Sequence, residues 1–218
     1  MGERVLWVEG SPKGERSLSS ACAVAYLDGL RATRPHAEVE HLSVWEDALV
    51  PFGRREAIAK FAPIFGEGLT NEEKAAWRRV EAEIARVKAF DRLVVSSPMW
   101  NWNVPYALKH WLDVIVQPLL SFTIDERGRH VGVLGTDSSV QLLLTRSSAY
   151  DGRHPEMTDY QRPYLEYVFG LLGYALDETF VIEPTTRWPP EERERLWESA
   201  TAEARELGRR AAAHGVIA

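Results

Sequence analysis

The chain is nearly devoid of cysteine: Cys22 is the one in 218 residues. A single thiol closes no internal disulfide, so a packed core must hold the fold, and a reducing compartment is the default setting. Cys22 falls in the series Leu18, Ala21, Cys22, Ala25. That helical spacing makes it a packing residue in preference to a nucleophile, because burial among apolar groups raises a thiol's pKa. Basic charge is also short, with 26 Lys and Arg against 32 Asp and Glu for a net charge of −6. A nucleic-acid partner, which needs a clustered basic excess, is not expected. No stretch approaches the about 18 uninterrupted apolar residues of a membrane helix. The opening Met1-Gly2-Glu3-Arg4-Val5-Leu6 lacks the charged region, apolar run and cleavage site of a secretory leader. A cytoplasmic protein is the expectation.

Catalytic motifs are missing as well. There is no G-x-S-x-G segment, and none of the six histidines has a neighbouring motif that would make it the base of a hydrolase. His36 and His41 stand five apart on a predicted strand and its approach, which places them on opposite sides, so no metal centre is expected. Neither G-x-G-x-x-G nor G-K-[ST] occurs, which disfavours a dinucleotide fingerprint or a nucleoside-triphosphate loop.

What is present is an alternation of strand and helix patterns over one predicted domain, residues 1–218. Arg4 to Glu9 is a short apolar run, and a polar turn from Ser11 to Arg16 leads into a helix that starts near Ser17. Ala37 to Val44 alternates as a second strand, and Arg92 to Ser97 reads as a third, buried on both faces. Between them Thr70 and Glu73 form a capping box before Trp77, Val80, Ile84 and Val87, which share a helical face. Pro105 suits a first helical position, and Leu108, Trp111, Leu112 and Ile115 continue that helix until Pro118. Phe122 to Ile124 and His130 to Leu134 flank a polar turn and predict a small hairpin. Val140 to Thr145 is a fourth strand, Asp159 to Leu172 a helix and Glu178 to Glu183 a fifth strand. The last helix opens at Pro189-Pro190-Glu191-Glu192. Such alternation implies an α/β fold with a mostly parallel sheet covered on both faces.

In open parallel sheets ligands bind beyond the carboxyl ends of the strands, so three loops carry the chemistry: 10–19, 97–105 and 145–159. The first places Ser11, Ser17 and Ser19 around a helix N-terminus, where free N–H groups and the macrodipole favour a phosphate. Capping accounts for Ser17 equally well, but one cap does not need three serines. The second loop, Met99-Trp100-Asn101-Trp102-Asn103, sets two indoles and two amides at a strand end. A planar aromatic ligand would cover the rings, and Asn101 offers a donor and an acceptor to a ring edge. Packing under a neighbouring loop explains either indole taken singly, and Asn103 is an alternative cap for the helix that follows.

Ser11 to Ser19, Pro98-Met99-Trp100-Asn101-Trp102-Asn103, Thr145-Arg146-Ser147-Ser148 and Pro163-Tyr164-Leu165 with Gly170 and Gly173 together resemble the FMN-dependent NADH:quinone oxidoreductase and azoreductase family. The similarity spans nearly the whole chain in order. It implies a flavodoxin-like, doubly wound, five-stranded parallel sheet of order 2-1-3-4-5, with helices on both faces and the hairpin as an insertion. FMN phosphate would sit at Ser11, Ser17, Leu18 and Ser19, and Met99, Trp100, Asn101 and Trp102 would border the flavin ring. Thr145, Arg146, Ser147 and Ser148 replace the family's S-R-G-G at the pyrimidine edge. Two serines restrict the close backbone approach that glycines allow, so Ser147 and Ser148 are expected to offer hydroxyl donors instead.

The activity implied is ping-pong reduction of quinones and azo compounds, with hydride arriving from NADH or NADPH and leaving to the oxidant from the same flavin face. Trp100, Trp102, Phe122 and Tyr150 are the expected pocket wall, and either solvent or Tyr150 supplies the second proton. A homodimer with pockets at its interface is part of the same resemblance. The rival readings are an FMN electron carrier without a substrate pocket and a non-catalytic binding module.

Overall fold

The computed structural model describes residues 2–152, 157–186 and 188–213. Strand β1 (Arg4–Glu9) is followed by a 3-10 turn at Gly14–Arg16 and helix α1 (Leu18–Thr33), then by β2 (Glu38–Ser43), α2 (Arg54–Phe65) and α3 (Asn71–Lys88). Next come β3 (Arg92–Pro98), α4 (Tyr106–Ile115) and a hairpin of β4 (Phe122–Ile124) and β5 (His130–Gly132). The chain then runs through β6 (Ser139–Thr145), α5 (Arg162–Leu171), β7 (Ala175–Leu176), β8 (Phe180–Ile182) and α6 (Pro190–Ala213). The main sheet has the order β2-β1-β3-β6-β7, with β8 also paired to β6 and every pairing parallel.

Strand alternation explains the two layers. Val5, Val94 and Leu143 point to one face and pack with Tyr26, Leu30 and Leu207 of α1 and α6. Leu6, Val8, Leu93, Val95, Leu142 and Leu144 point to the other, against Val80 and Ile84 of α3, Leu108 and Leu112 of α4 and Leu165 of α5. Helices α1 and α6 touch backbone to backbone. A Cβ on Gly208 would lie 2.0 Å from the Tyr26 carbonyl oxygen, and one on Gly29 would lie 2.0 Å from that of Arg205, so only glycine permits the contact.

The predicted elements are present, with differences that have local causes. The predicted fifth strand, Glu178 to Glu183, is β8 alone; the two-residue β7 that precedes it matches no predicted element, and between the two the Gln141 side chain donates to the Glu178 carbonyl at 2.7 Å. Strand β5 ends at Gly132, since the Val133 and Leu134 amides turn to the Ser121 carbonyl. The helix after the second loop begins at Tyr106 with Pro105 as its cap residue; Asn103 caps nothing there and bonds Val104 N–H at 2.7 Å. Helix α2 was invisible to periodicity. It contains Pro63, buries only the small Ala59 and Ala62 of its apolar residues and leaves Phe61, Ile64 and Phe65 exposed, so its large apolar residues do not mark a core face.

Cys22 is fully buried, and burial with help from Glu203 pushes its thiol up to about 12. At pH 8 about one molecule in 10⁴ then carries the thiolate. Iodoacetamide should leave the native chain unlabelled over hours and label it rapidly in denaturant; mass spectrometry reads both.

Candidate functional site at the carboxyl edge of the sheet

Three loops converge because three parallel strands end together. Glu9 is in register with Ser96, Ser96 with Leu143 and Pro98 with Thr145. Two main-chain bonds tie the ends across the strands: Gly10 N–H to the Ser96 carbonyl at 2.8 Å, and Met99 N–H to the Thr145 carbonyl at 2.8 Å.

In the first loop Ser17 is the N-cap of α1, its hydroxyl oxygen accepting from Ser20 N–H at 3.3 Å. The Ser17 and Ser19 hydroxyls lie 3.1 Å apart, and the Ser11 oxygen accepts from Lys13 N–H at 3.3 Å. All three serines are buried. Leu18 turns its side chain into the cluster of Cys22, Ile182 and Ala204, so only its main chain belongs to the loop's rim. Leu18 and Ser19 occupy the first turn of a 16-residue helix, where N–H groups have no partner within the helix. The capping reading and the anion-site reading therefore both fit: side chains brace the turn, and amides are left for an anion.

The second loop is strained. Asn101 and Trp102 have φ of 46° and 66°, and Trp100 and Asn103 exchange main-chain bonds of 2.8 and 2.9 Å across them. Positive φ at both central residues suits Asn or Gly and is an outlier for tryptophan. Strain of this kind, of order 1–3 kcal/mol per residue, persists where the surroundings over-determine it, often at a ligand site. Its result is two rings turned outward, Trp100 at 37% and Trp102 at 56% exposure.

Sequence reasoning missed the brace behind Trp100. Trp45, just past β2, donates its indole N–H to the Gly10 carbonyl at 3.0 Å, and its ring lies 5.4 Å from that of Trp100 and 5.0 Å from Tyr106. One indole thus couples the end of β1 to the second loop. Its position in the sequence carries no signal, because the partner lies 35 residues away.

The third loop differs most from expectation. Arg146, expected beside a cofactor, is buried and turned inward. Its guanidinium meets Asp159 at 2.6 Å, Glu183 at 3.0 Å and the Gln161 side-chain oxygen at 3.3 Å. Gln161 in turn donates to the Ser97 carbonyl at 3.3 Å, so this cluster lies beneath the loops and joins them. A guanidinium buried this far is held by its carboxylates. Ser147 and Ser148 are exposed at the surface, and Thr145 is buried at the end of β6. Residues 153–156 of this loop lie outside the described residues.

Tyr150 lies with its ring 5.4 Å from the Arg146 guanidinium. Burial raises its phenol pKa, with Asp159 and Glu183 adding to the rise and Arg146 opposing it. Such a phenol stays protonated at neutral pH and donates a hydrogen bond more readily than it gives up a proton. Phe122 is in the hairpin, edge-on to His130 at 5.2 Å, and no ring contact links it to Trp100 or Trp102 among the described residues. Among the described residues no group of three or more His, Cys, Asp or Glu is placed to hold a metal ion. No helix among them is long and apolar enough to cross a membrane.

A family model described as the flavodoxin-like fold matches residues 3–207. The chain belongs to the flavodoxin-like family. Two curated relatives of this flavodoxin-like chain are FMN-dependent NADH:quinone oxidoreductases. The one from Nitratidesulfovibrio vulgaris is 34% identical over 93% of this chain and 97% of its own length. The other, from Pseudomonas fluorescens, is 31% identical over 95% and 98%. Among solved structures, an FMN-dependent NADH-azoreductase from Bacillus anthracis in complex with FMN superposes with a TM-score of 0.80 at 22% identity, covering 96% of this chain and 99% of that one. At that identity the likeness establishes the fold.

Proposed function

We propose that this chain is an FMN-dependent NAD(P)H:quinone oxidoreductase that also reduces aromatic azo compounds. The observation that carries the reading is the strained turn at Asn101 and Trp102, which holds two indoles open beside a serine-braced helix N-terminus. The residues fit FMN at both ends. First-turn amides at Leu18 and Ser19, braced by Ser11 and Ser17, suit a dianionic phosphate, and Met99, Trp100, Asn101 and Trp102 suit a planar ring with polar edges. Bound there, FMN supplies two-electron hydride chemistry that no side chain possesses.

The chain's own contribution is positioning. Trp100 and Trp102 provide apolar walls against which nicotinamide and then the oxidant stack in alternation, a ping-pong order. Thr145, Ser147 and Ser148 present main-chain and hydroxyl donors where negative charge develops at the ring edge, and Arg146 serves from beneath by fixing their loop. Phe122 and Tyr150 complete the wall; solvent delivers the second proton, with Tyr150 as a hydrogen-bond donor.

We place the chain in the cytoplasm as one FMN domain over residues 1–218, working as a homodimer. Exposed Phe61, Ile64 and Phe65 on α2 and Ile124 on the hairpin are apolar surface suited to a second copy.

The purified protein should show a flavin spectrum, or gain one with FMN. Anaerobic NADH or NADPH should bleach it, and a quinone should sustain turnover. Absence of any flavin spectrum after adding FMN would leave a binding module, and bleaching without quinone turnover would leave an electron carrier. Trp45→Phe keeps the ring but removes the bond to Gly10, a loss of about 1 kcal/mol. FMN titration should show about fivefold weaker binding, and an unchanged Kd would remove Trp45 from the site.

A further inference from the structure

A cavity of about 430 Å³ is walled in part by Gly14 and Glu15 of the first loop, while Ser11, Ser17, Leu18 and Ser19 are not among its lining residues. Its floor includes Trp7 of β1, whose indole stacks on His41 of β2 at 4.1 Å with 20° between the planes and is fixed by a 2.9 Å bond to the Ser96 hydroxyl. Ala21 and Val24 of α1 form an apolar wall. A rigid indole beside aliphatic groups is a surface for a flat or compact apolar body.

The polar groups are few and of one kind. Glu9, 7% exposed, reaches the cavity with one carboxylate oxygen held by His41 Nε2 at 3.0 Å. Glu15 adds a second carboxylate to the lining, which holds no Lys or Arg among the described residues, although Lys13 and Arg16 flank the same turn in sequence. Ser20 also lines the cavity. It is 4% exposed, and its hydroxyl has no hydrogen-bond partner among the described residues. An orphaned buried hydroxyl is unfavourable, and a donor or acceptor arriving with a ligand relieves it.

We propose that this cavity is a binding site for a small molecule with an aromatic or compact apolar body and one protonated amine. The body lies against Trp7, Ala21 and Val24, and the ammonium donates to Glu9 and to the Ser20 oxygen. Negative charge without a lining cation selects a cation over a neutral isostere and rejects an anion, so the site differs in sign from the phosphate end of the rim loops. It does not depend on the flavin reading.

The test compares tryptamine with tryptophol, which share an indole and differ in amine against hydroxyl, by calorimetric titration of the purified protein with and without added FMN. Tryptamine should bind at least about tenfold more tightly. Glu9→Gln, which keeps a hydrogen-bonding group for His41, should bring the two ligands to within about twofold. Val24→Trp, at a position 46% exposed, should fill the mouth and abolish tryptamine binding with the thermal midpoint retained. Equal binding of the two ligands to the unmodified chain would overturn the proposal, as would tryptamine binding that survives Val24→Trp. Should Glu9→Gln fail to fold, the Val24→Trp arm decides.

Discussion

Ser17→Asp should leave the chain as stable as before and weaken FMN by at least about a hundredfold. Ser17 is the N-cap of α1. Aspartate caps as well as serine, and its charge is favourable at the positive end of a helix. The same charge beside a bound phosphate costs about 4 kcal/mol at 4 Å with an effective dielectric near 20. Asp therefore preserves one role of Ser17 and opposes the other. Thermal denaturation reads the cap, and fluorescence titration reads the cofactor. If FMN affinity survives, Ser17 is a cap alone and the phosphate lies elsewhere; if stability also collapses, the buried hydroxyl pair with Ser19 outweighs capping.

Arg146→Met should cost about 3 kcal/mol, a large share of the 5–15 kcal/mol that holds a typical domain together. Removing one partner of a buried ion pair leaves its counter-charges desolvated, at about 3–5 kcal/mol. The lower end applies because Asp159 and Glu183 side chains retain 19% and 20% exposure and water can partly solvate them. Arg146→Lys should recover little, since one ammonium cannot replace a planar fork that reaches three partners. Urea denaturation with an unchanged m-value measures the loss. A cost under about 1 kcal/mol would mean that the cluster is solvated in solution and does not brace the rim.

These two positions show how far the residues alone could be read. Ser17 was legible because capping and anion binding are local: they depend on which residues precede a helix and which amides its first turn leaves free. Arg146 was legible as a loop residue and as a match to a family segment, yet its direction was not. Where its side chain points is set by Asp159, 13 residues on, and Glu183, 37 residues on. The same limit hid Trp45, and it hid α2, which buries only the small Ala59 and Ala62 of its apolar residues and leaves Phe61, Ile64 and Phe65 exposed. Strand β7 had no sequence mark either, because it is two residues long and exists only through its pairing with β6.

The sequence by itself determined the class of fold, the places where strands end, and the three loops that follow those strand ends, because hydrophobic period and turn residues act over a few positions. Tertiary structure alone decided which of those loop side chains face outward. Trp100 and Trp102 are held open by a strained turn and by Trp45, while Arg146 is drawn in by carboxylates that the fold delivers from other elements. It also created the Trp7, Glu9 and Ser20 cavity, which exists only where β1 meets α1. Contacts of that kind depend on desolvation and on partners distant in the chain, and neither is encoded in any short run of residues.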